Sequence, residues 1–525
     1  MKSYRFERLT LHLKGHLGEN SGSAQTEADE NQTVKYRKIK THFLTAASAL
    51  FILVSSIAHP KPNLDNWIRV DAGNLAFSTN LAAQEAEELA NELLTFMSFS
   101  EAFLPQRPGY KIPLQLIVFS NKADFDTIVR PKKFASFTHS DLSGVLVVAA
   151  PSSERFDDLL DNITHELSHY QMRHAPLNYP LWYEEGLATM LSNATLIVEE
   201  NKLEAEFKTP NTSASFPLNR STKPIRQSWL VRHLGRKHLN NLNLRIIHNF
   251  YNDSHRLAHL FQFNQTEDLR FSIASMERYL QDQSDSLLSS LNVTPNELMN
   301  ALARHQEKIA EPRRLTFDAP EISSKIQISA LTKAEALKQL SVASALTNPR
   351  GAINHLNQII LSDSSDYLSM LELANLHAVT KRPDKSLKYL SKAKKLNRGN
   401  SRVKIAEASM LIRSCKSSSG ACADEWLQAG DLIREALETE PENIEAIYSL
   451  GVIELYSGRP GTALNYLKVA EDHAPWSPRI NFHLGEALRL LGNPSGKSYL
   501  IKARDWSSAE SWRKMAEQAI NEYNS

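Results

Sequence analysis

Cysteine is nearly absent from this chain, with two residues, Cys415 and Cys422, in 525. They can form one disulfide across a short Lys-, Ser- and Gly-rich loop or stay as two free thiols, and neither has metal-ligand company in sequence. An excess of one charge is missing as well. Lys plus Arg number 60 against 59 Asp plus Glu, a formal net charge of +1, so there is no electrostatic footprint for nucleic acid. Long apolar runs are missing except at 43–58, and that run is shorter than the roughly 20 residues a comfortable transmembrane helix needs.

The exception has the charge order of an export signal or membrane anchor. Lys35, Arg37, Lys38 and Lys40 precede it, and Ser56-Ile57-Ala58 closes it in the small-x-small pattern of a signal-peptidase site. The polar stretch before it, 1–34, reads as a disordered leader. Two explanations fit: a type II anchor with a cytoplasmic tail, or a true start at Val34. Both put residues after about 60 outside the cytoplasm, because the positive flank stays inside. The expected location is the periplasm or cell envelope, with or without anchoring in the inner membrane through 43–58.

What is present is concentrated between Asp161 and Met190, DNITHELSHYQMRHAPLNYPLWYEEGLATM. His165, Glu166 and His169 form an H-E-x-x-H pattern, which on a helix puts both imidazoles on one face, one turn apart, where they can bind a single metal ion. The spacing predicts a helix from about Ser152 that ends before Pro176. Its packing stripe is Leu159, Ile163, Leu167 and Tyr170, with the two histidines and Asn162 on another face. Pro176 and Pro180 force a bend, and a second helix resumes over Leu181 to Leu191. Zinc in hydrolases takes three protein ligands and leaves a fourth position open. Glu184 and Glu185 both lie on the second helix and point about 100° apart, so only one can be the third ligand. The apolar pattern does not choose between them.

Around this stretch the chain alternates. Strands are predicted at Trp67 to Val70, Leu75 to Ser78, Pro113 to Phe119 and Gly144 to Ala150, with helices at Glu85 to Phe99 and Ala123 to Val129. Gln227 to Leu302 reads as a helical lobe. There His255 and His259 form an H-x-x-x-H pair whose Arg256 would repel a cation. Beyond Leu331 the pattern repeats: Ala352 and Ser386 stand 34 residues apart, as do Ala429 and Ala463, and Leu356, Leu390 and Leu467 form a second column. The resulting division is a leader at 1–34, a signal or anchor at 35–59, a first domain at 60–308, a linker at 309–330 and repeats at 331–525. Four repeat units are counted, the last (Arg479 to Arg504) shortened, with Ala509 to Tyr523 as a cap.

The repeats, clearest from Ile444 to Pro478, resemble tetratricopeptide repeats, which implies binding of a protein partner. HELSH followed by WYEEGLA resembles the gluzincin metallopeptidases of the peptidase MA clan, although no G-A-M-E-N aminopeptidase motif is present. This resemblance implies an α+β fold, with a small mixed sheet, active-site helices and a helical lobe, followed by the all-α solenoid. It further implies a Zn2+ ion on His165, His169 and Glu185, with Glu166 as general base. Tyr251, His255 or His248 would be the oxyanion donor, and Gly144, Val145, Leu146 and Val147 the strand that pairs with extended peptide substrate. The expected function is an exported or anchored zinc peptidase acting on a peptide or protein. The alternative is a non-catalytic tetratricopeptide scaffold with a protease-like structural domain. N-terminal sequencing of the mature protein tests the export reading: a chain beginning after Ala58 is expected from cleavage, and a cytosolic chain retaining Met1 would overturn it.

Overall fold

The computed structural model describes residues 64–523, apart from 108–110, 131–133, 154, 176, 200–201, 209, 211–226, 236–237, 240–241, 265, 282–285, 309–310, 319–324 and 418–421. The leader and the 43–58 run lie outside the described residues. Among those described, no helix is long and apolar enough to cross a membrane.

Period-2 apolar patterning produces the main sheet. Strands β1 (Ile68–Ala72) and β2 (Leu75–Thr79) form a hairpin in which Ala72 faces Leu75. Gly73 in its turn takes φ +67°, a left-handed conformation glycine adopts without steric cost. Helix α1 (Ala83–Phe103) follows, then β3 (Leu114–Val118), α2 (Lys122–Ile128), β4 (Ser136–Asp141) and β5 (Gly144–Ala149). The strand order is β4-β5-β3-β2-β1 with one further strand beyond β1; β2, β3 and β5 run parallel and β4 runs antiparallel to β5. Both faces are covered, as parallel strands require. Leu116, Val118, Val145 and Val147 belong to the large core with α1, whereas Ile117, Phe119 and Val148 pack with Phe125 of α2 on the other face.

Two helices then lie at the front of the sheet: α3 (Phe156–Met172) and, after Pro180, α4 (Leu181–Ser192). The predicted stripe of Leu159, Ile163, Leu167 and Tyr170 is buried against the sheet and α1. A hairpin, β6 (Thr195–Glu199) and β7 (Lys202–Phe207), precedes the helical lobe and buries Leu203, Ala205 and Phe207 in the core. The lobe comprises α5 (Gln227–Leu234), α6 (Leu244–Gln262), α7 (Ile273–Gln281), α8 (Leu287–Ser290) and α9 (Pro295–Lys308).

The stretch expected to be a linker, 309–330, instead completes both sheets. β8 (Arg313–Asp318) pairs with β7, and β9 (Gln327–Ala330) pairs with β1 as the far edge of the main sheet. Prolines and weak periodicity there mark two short edge strands rather than a domain boundary.

Among the described residues the repeats form five antiparallel helical hairpins and a cap, one hairpin more than the four units counted from the sequence. They are α10 (Lys333–Ser344) with α11 (Pro349–Ser362), α12 (Tyr367–Val379) with α13 (Pro383–Leu396), and α14 (Ser401–Ser417) with α15 (Ala423–Thr439). Next come α16 (Ile444–Tyr456) with α17 (Pro460–His473) and α18 (Pro478–Leu490) with α19 (Gly496–Trp506), capped by α20 (Glu510–Tyr523). Pro349, Pro383, Pro460 and Pro478 each open a helix, where the missing N–H costs nothing. Ala352, Ser386, Ala429 and Ala463 are fully buried at the helix–helix seams. A Cβ on Gly451 would come within 2.7 Å of Leu467, and one on Gly485 within 2.7 Å of Leu500, so small residues recur where paired helices touch.

The array is not a separate body. One core cluster runs from Val70 in β1 to Leu488 in α18, and Ala336, Leu340 and Ala343 of α10 cover the back of the main sheet beside α2. Near the front, Gly186 of α4 lies against α6, where an added Cβ would meet the Ser254 carbonyl at 2.3 Å and Ala258 at 2.9 Å. Gly186→Ala is expected to cost about 1–3 kcal/mol by overpacking. A urea midpoint that does not fall, with Gly461→Ala (no neighbour within 4 Å) as the control, would overturn that expectation.

Candidate metal centre

The face of α3 opposite its packing stripe carries the chemistry. Asn162 anchors that face to the end of the sheet, donating from Nδ2 to the Ala150 carbonyl and to Ser152 Oγ, both at 2.9 Å. One turn on, His165 and His169 stand with ring centroids 5.0 Å apart. The bend at Pro180 returns α4 across them. Glu185 Oε2 comes to 3.2 Å from His165 Nε2 and 3.5 Å from His169 Nε2. One ligand atom from each of the three residues fits within 4.8 Å of the others.

The two glutamates between which the sequence pattern did not choose point in different directions. Glu184 turns away from Glu185 and accepts from His169 Nδ1 at 2.9 Å and from Arg173 Nη2 at 2.8 Å. It therefore orients the imidazole whose other nitrogen faces Glu185, the arrangement by which a neighbouring carboxylate fixes a ligand histidine. Electrostatics at the cluster are strong. Burial opposes the His169 imidazolium, yet Glu185 and Glu184 together outweigh it and raise the pKa to about 10. Burial also opposes the Glu185 carboxylate, and the two histidines outweigh it and lower its pKa to about 2.

Glu166 lies beside the cluster with both carboxylate oxygens held. Ser136 Oγ donates to Oε1 at 2.8 Å and Thr138 Oγ1 to Oε2 at 2.6 Å. Both hydroxyls belong to β4, a strand sequence reasoning missed because Ser-Phe-Thr-His-Ser-Asp has little apolar content. The alternation of Ser136, Thr138 and Ser140 was the only signal.

Two expectations need correction. β5 cannot pair with an extended substrate through Gly144, Val145, Leu146 and Val147, because its two edges are taken by β3 and β4. The edge strand is β4. His255 is also misplaced as a reacting group: it is 2% exposed, does not line the cavity and lies in the lobe beside His259, whose Nδ1 is 3.0 Å from His305 Nε2. Burial lowers its pKa to about 4, so it stays neutral. Tyr251 does reach the site, with its ring centroid 5.7 Å from that of His165. Burial, followed by the Glu185 and Glu166 charges, raises its pKa well above the ordinary phenol value, so it remains a hydrogen-bond donor. His248 also lines the cavity.

These groups line a cavity of about 690 Å³. Part of its wall comes from the distant end of the chain: Trp506 at the end of α19, Ser507 and Ser508 after it, and Arg513 of α20. Elsewhere, Cys415 and Cys422 are not joined by a disulfide. Contrary to expectation they do have a candidate ligand nearby, since a Glu425 carboxylate oxygen and both sulfurs lie within 4.8 Å of one another.

No family model matches the chain, and no curated protein matches it. Solved structures do align with part of it. A tetratricopeptide protein of Thermus thermophilus, TTC0263, is 14% identical over 36% of this chain and 99% of that one, with a TM-score of 0.32. The type IV pilus biogenesis factor PilW is 19% identical over 37% and 91%, at 0.28. Pseudomonas aeruginosa pilF is 16% identical over 36% and 88%, at 0.28. Likenesses this distant carry no functional argument; the repeat architecture rests on the hairpins themselves.

The two glutamates are expected to separate in metal binding. Glu185→Gln should lose zinc on dialysis, while Glu184→Gln should keep it with affinity weakened about 10- to 100-fold. Elemental analysis of both variants checks this, and the opposite ranking would reverse their roles.

Proposed function

We propose that the protein is a zinc-dependent peptidase of gluzincin type, carrying a tetratricopeptide array for protein contacts. The observation that carries this is the convergence of His165, His169 and Glu185 on one point, with Glu166 held beside it in a cavity. The donor set fits the metal: tetrahedral bonds of ~2.0–2.1 Å put neighbouring ligand atoms about 3.3 Å apart, close to the 3.2 and 3.5 Å separations here. Zinc held by these residues would supply Lewis acidity toward a carbonyl and lower the pKa of a water molecule toward about 7.

The remaining steps belong to the chain's own groups. Glu184 and Arg173 keep His169 oriented. Glu166 accepts the proton of the attacking water on a carboxylate oxygen and returns it to the leaving amine. Ser136 and Thr138 fix that carboxylate, each occupying one acceptor position on a different oxygen and leaving the others for the incoming proton. The Tyr251 hydroxyl donates to the oxyanion as it develops. The free edge of β4, beside Glu166, supplies backbone groups for an extended peptide. The charge order of 35–58 supports an extracytoplasmic location for this chemistry.

A second reading is a non-catalytic interaction scaffold, and the five-hairpin array favours it. Hydrolysis of an unfolded protein by the zinc-loaded wild type and by Glu166→Gln decides between them. A loss of at least about 100-fold in the variant with zinc retained is expected. Equal activity in both refutes the mechanism, and no hydrolysis by either favours the scaffold.

A further inference from the structure

The end of the cavity built by the repeat array is rich in hydrogen-bond donors. Arg173 uses Nη2 on Glu184, yet its Nε and Nη1 are buried without partners. Its guanidinium lies 4.8 Å from the Trp506 ring, and the buried Trp506 Nε1 also lacks a partner. Arg513, half-buried on α20, donates from Nη1 to the Ser507 carbonyl at 2.8 Å. The third arginine of the wall, Arg155, is paired outward with Asp157 at 3.0 Å. Nearby acids are engaged: Asp505 takes Arg504 at 2.9 Å, and Glu510 takes Lys514 at 2.7 Å.

Buried donors left unpaired cost about 1–3 kcal/mol each. A carboxylate answers them best, since it only accepts and can engage an arginine in bidentate fashion. The same end of the cleft is closed to a continuing chain. Trp476 Nε1 donates to the Asp141 carbonyl at 2.9 Å, Arg479 lies 3.4 Å from the Asp141 carboxylate, and Ser508 Oγ lies 2.6 Å from His139 Nδ1. The array thus occupies the far end of β4, the edge along which an extended peptide would run.

We propose that Arg173, Trp506 and Arg513 form a carboxylate-binding site, through which the last two helices of the array select peptides that present a carboxylate at the end of the cleft. The inference rests on the peptidase reading. In it the array is a wall of the substrate site, and the favoured substrate is a chain end rather than the middle of a long polypeptide. The carboxylate belongs either to the C-terminus or to an acidic side chain beside it.

Full-length Glu166→Gln protein loaded with zinc permits a binding test without turnover. The probes are three fluorescent hexapeptides: a free acid, its C-terminal amide, and the amide with Asp as the final residue. At least tenfold tighter binding of the free acid than of the plain amide is expected. Adding Arg513→Gln should bring the free acid down to the level of the amide, and Arg513→Lys should restore part of the difference. Circular dichroism confirms that these variants fold. Tight binding of the Asp amide as well assigns the site to any terminal carboxylate, and weak binding assigns it to the C-terminus. Binding of free acid and plain amide within twofold, or equal weakening of both by Arg513→Gln, overturns the proposal. Absence of hydrolysis by zinc-loaded wild type, with the free-acid preference intact, would sink the peptidase reading and leave the carboxylate site standing.

Discussion

Glu185 reaches both His165 and His169 only because α4 crosses α3 at close range, and that crossing is held from behind by α6. Gly186, the residue next to Glu185, gives α6 room to approach to where a single methyl group would collide with its backbone. Three carboxylates, Glu166, Glu184 and Glu185, are thereby brought into a largely buried pocket. Such a concentration of negative charge is tolerable only where partners are supplied. Arg173 and His169 answer Glu184, the two imidazoles answer Glu185, and the β4 hydroxyls answer Glu166. The packing of two helices thus sets the single point on which His165, His169 and Glu185 converge.

The array and the sheet-bearing half depend on each other. α10 supplies apolar cover for the back of the main sheet, and the chain after α19 supplies part of the cavity wall at the front. A solenoid of hairpins is well suited to this, because each unit contacts its neighbours and the accumulated rotation carries its two ends to different places. Contacts at either end of the array can therefore bear on β4, the strand whose hydroxyls hold Glu166, without any contact to Glu166 itself.

Several features were legible in the residues because they follow from local rules. The H-E-x-x-H spacing on a helix, the buried stripe of α3, the bend at Pro180, the strands around Gly73 and the columns of small residues in the repeats all depend on periodicities of two, three to four, or 34. β4 was not legible, since an edge strand that offers hydroxyls to a buried carboxylate has no apolar alternation. β8 and β9 have the pattern of a linker because short edge strands carry little periodicity, and their partners lie far away in sequence. His255 shares a helix with Tyr251, which makes it a candidate on sequence grounds, but it is buried in the lobe beside His259 and does not line the cavity.

The sequence alone determined which residues could bind a metal, that they would occupy consecutive helices, and that the C-terminal part would be repeated hairpins, because backbone periodicity and proline placement act locally. Tertiary structure decided the rest. It aimed Glu185 at both imidazoles and Glu184 at Arg173 and the far nitrogen of His169, removed β5 as a free edge by pairing it on both sides, and brought Arg513 into a cavity with His165, 348 positions earlier in the chain. Each of these depends on where one element lies against another, which packing fixes and local pattern does not encode.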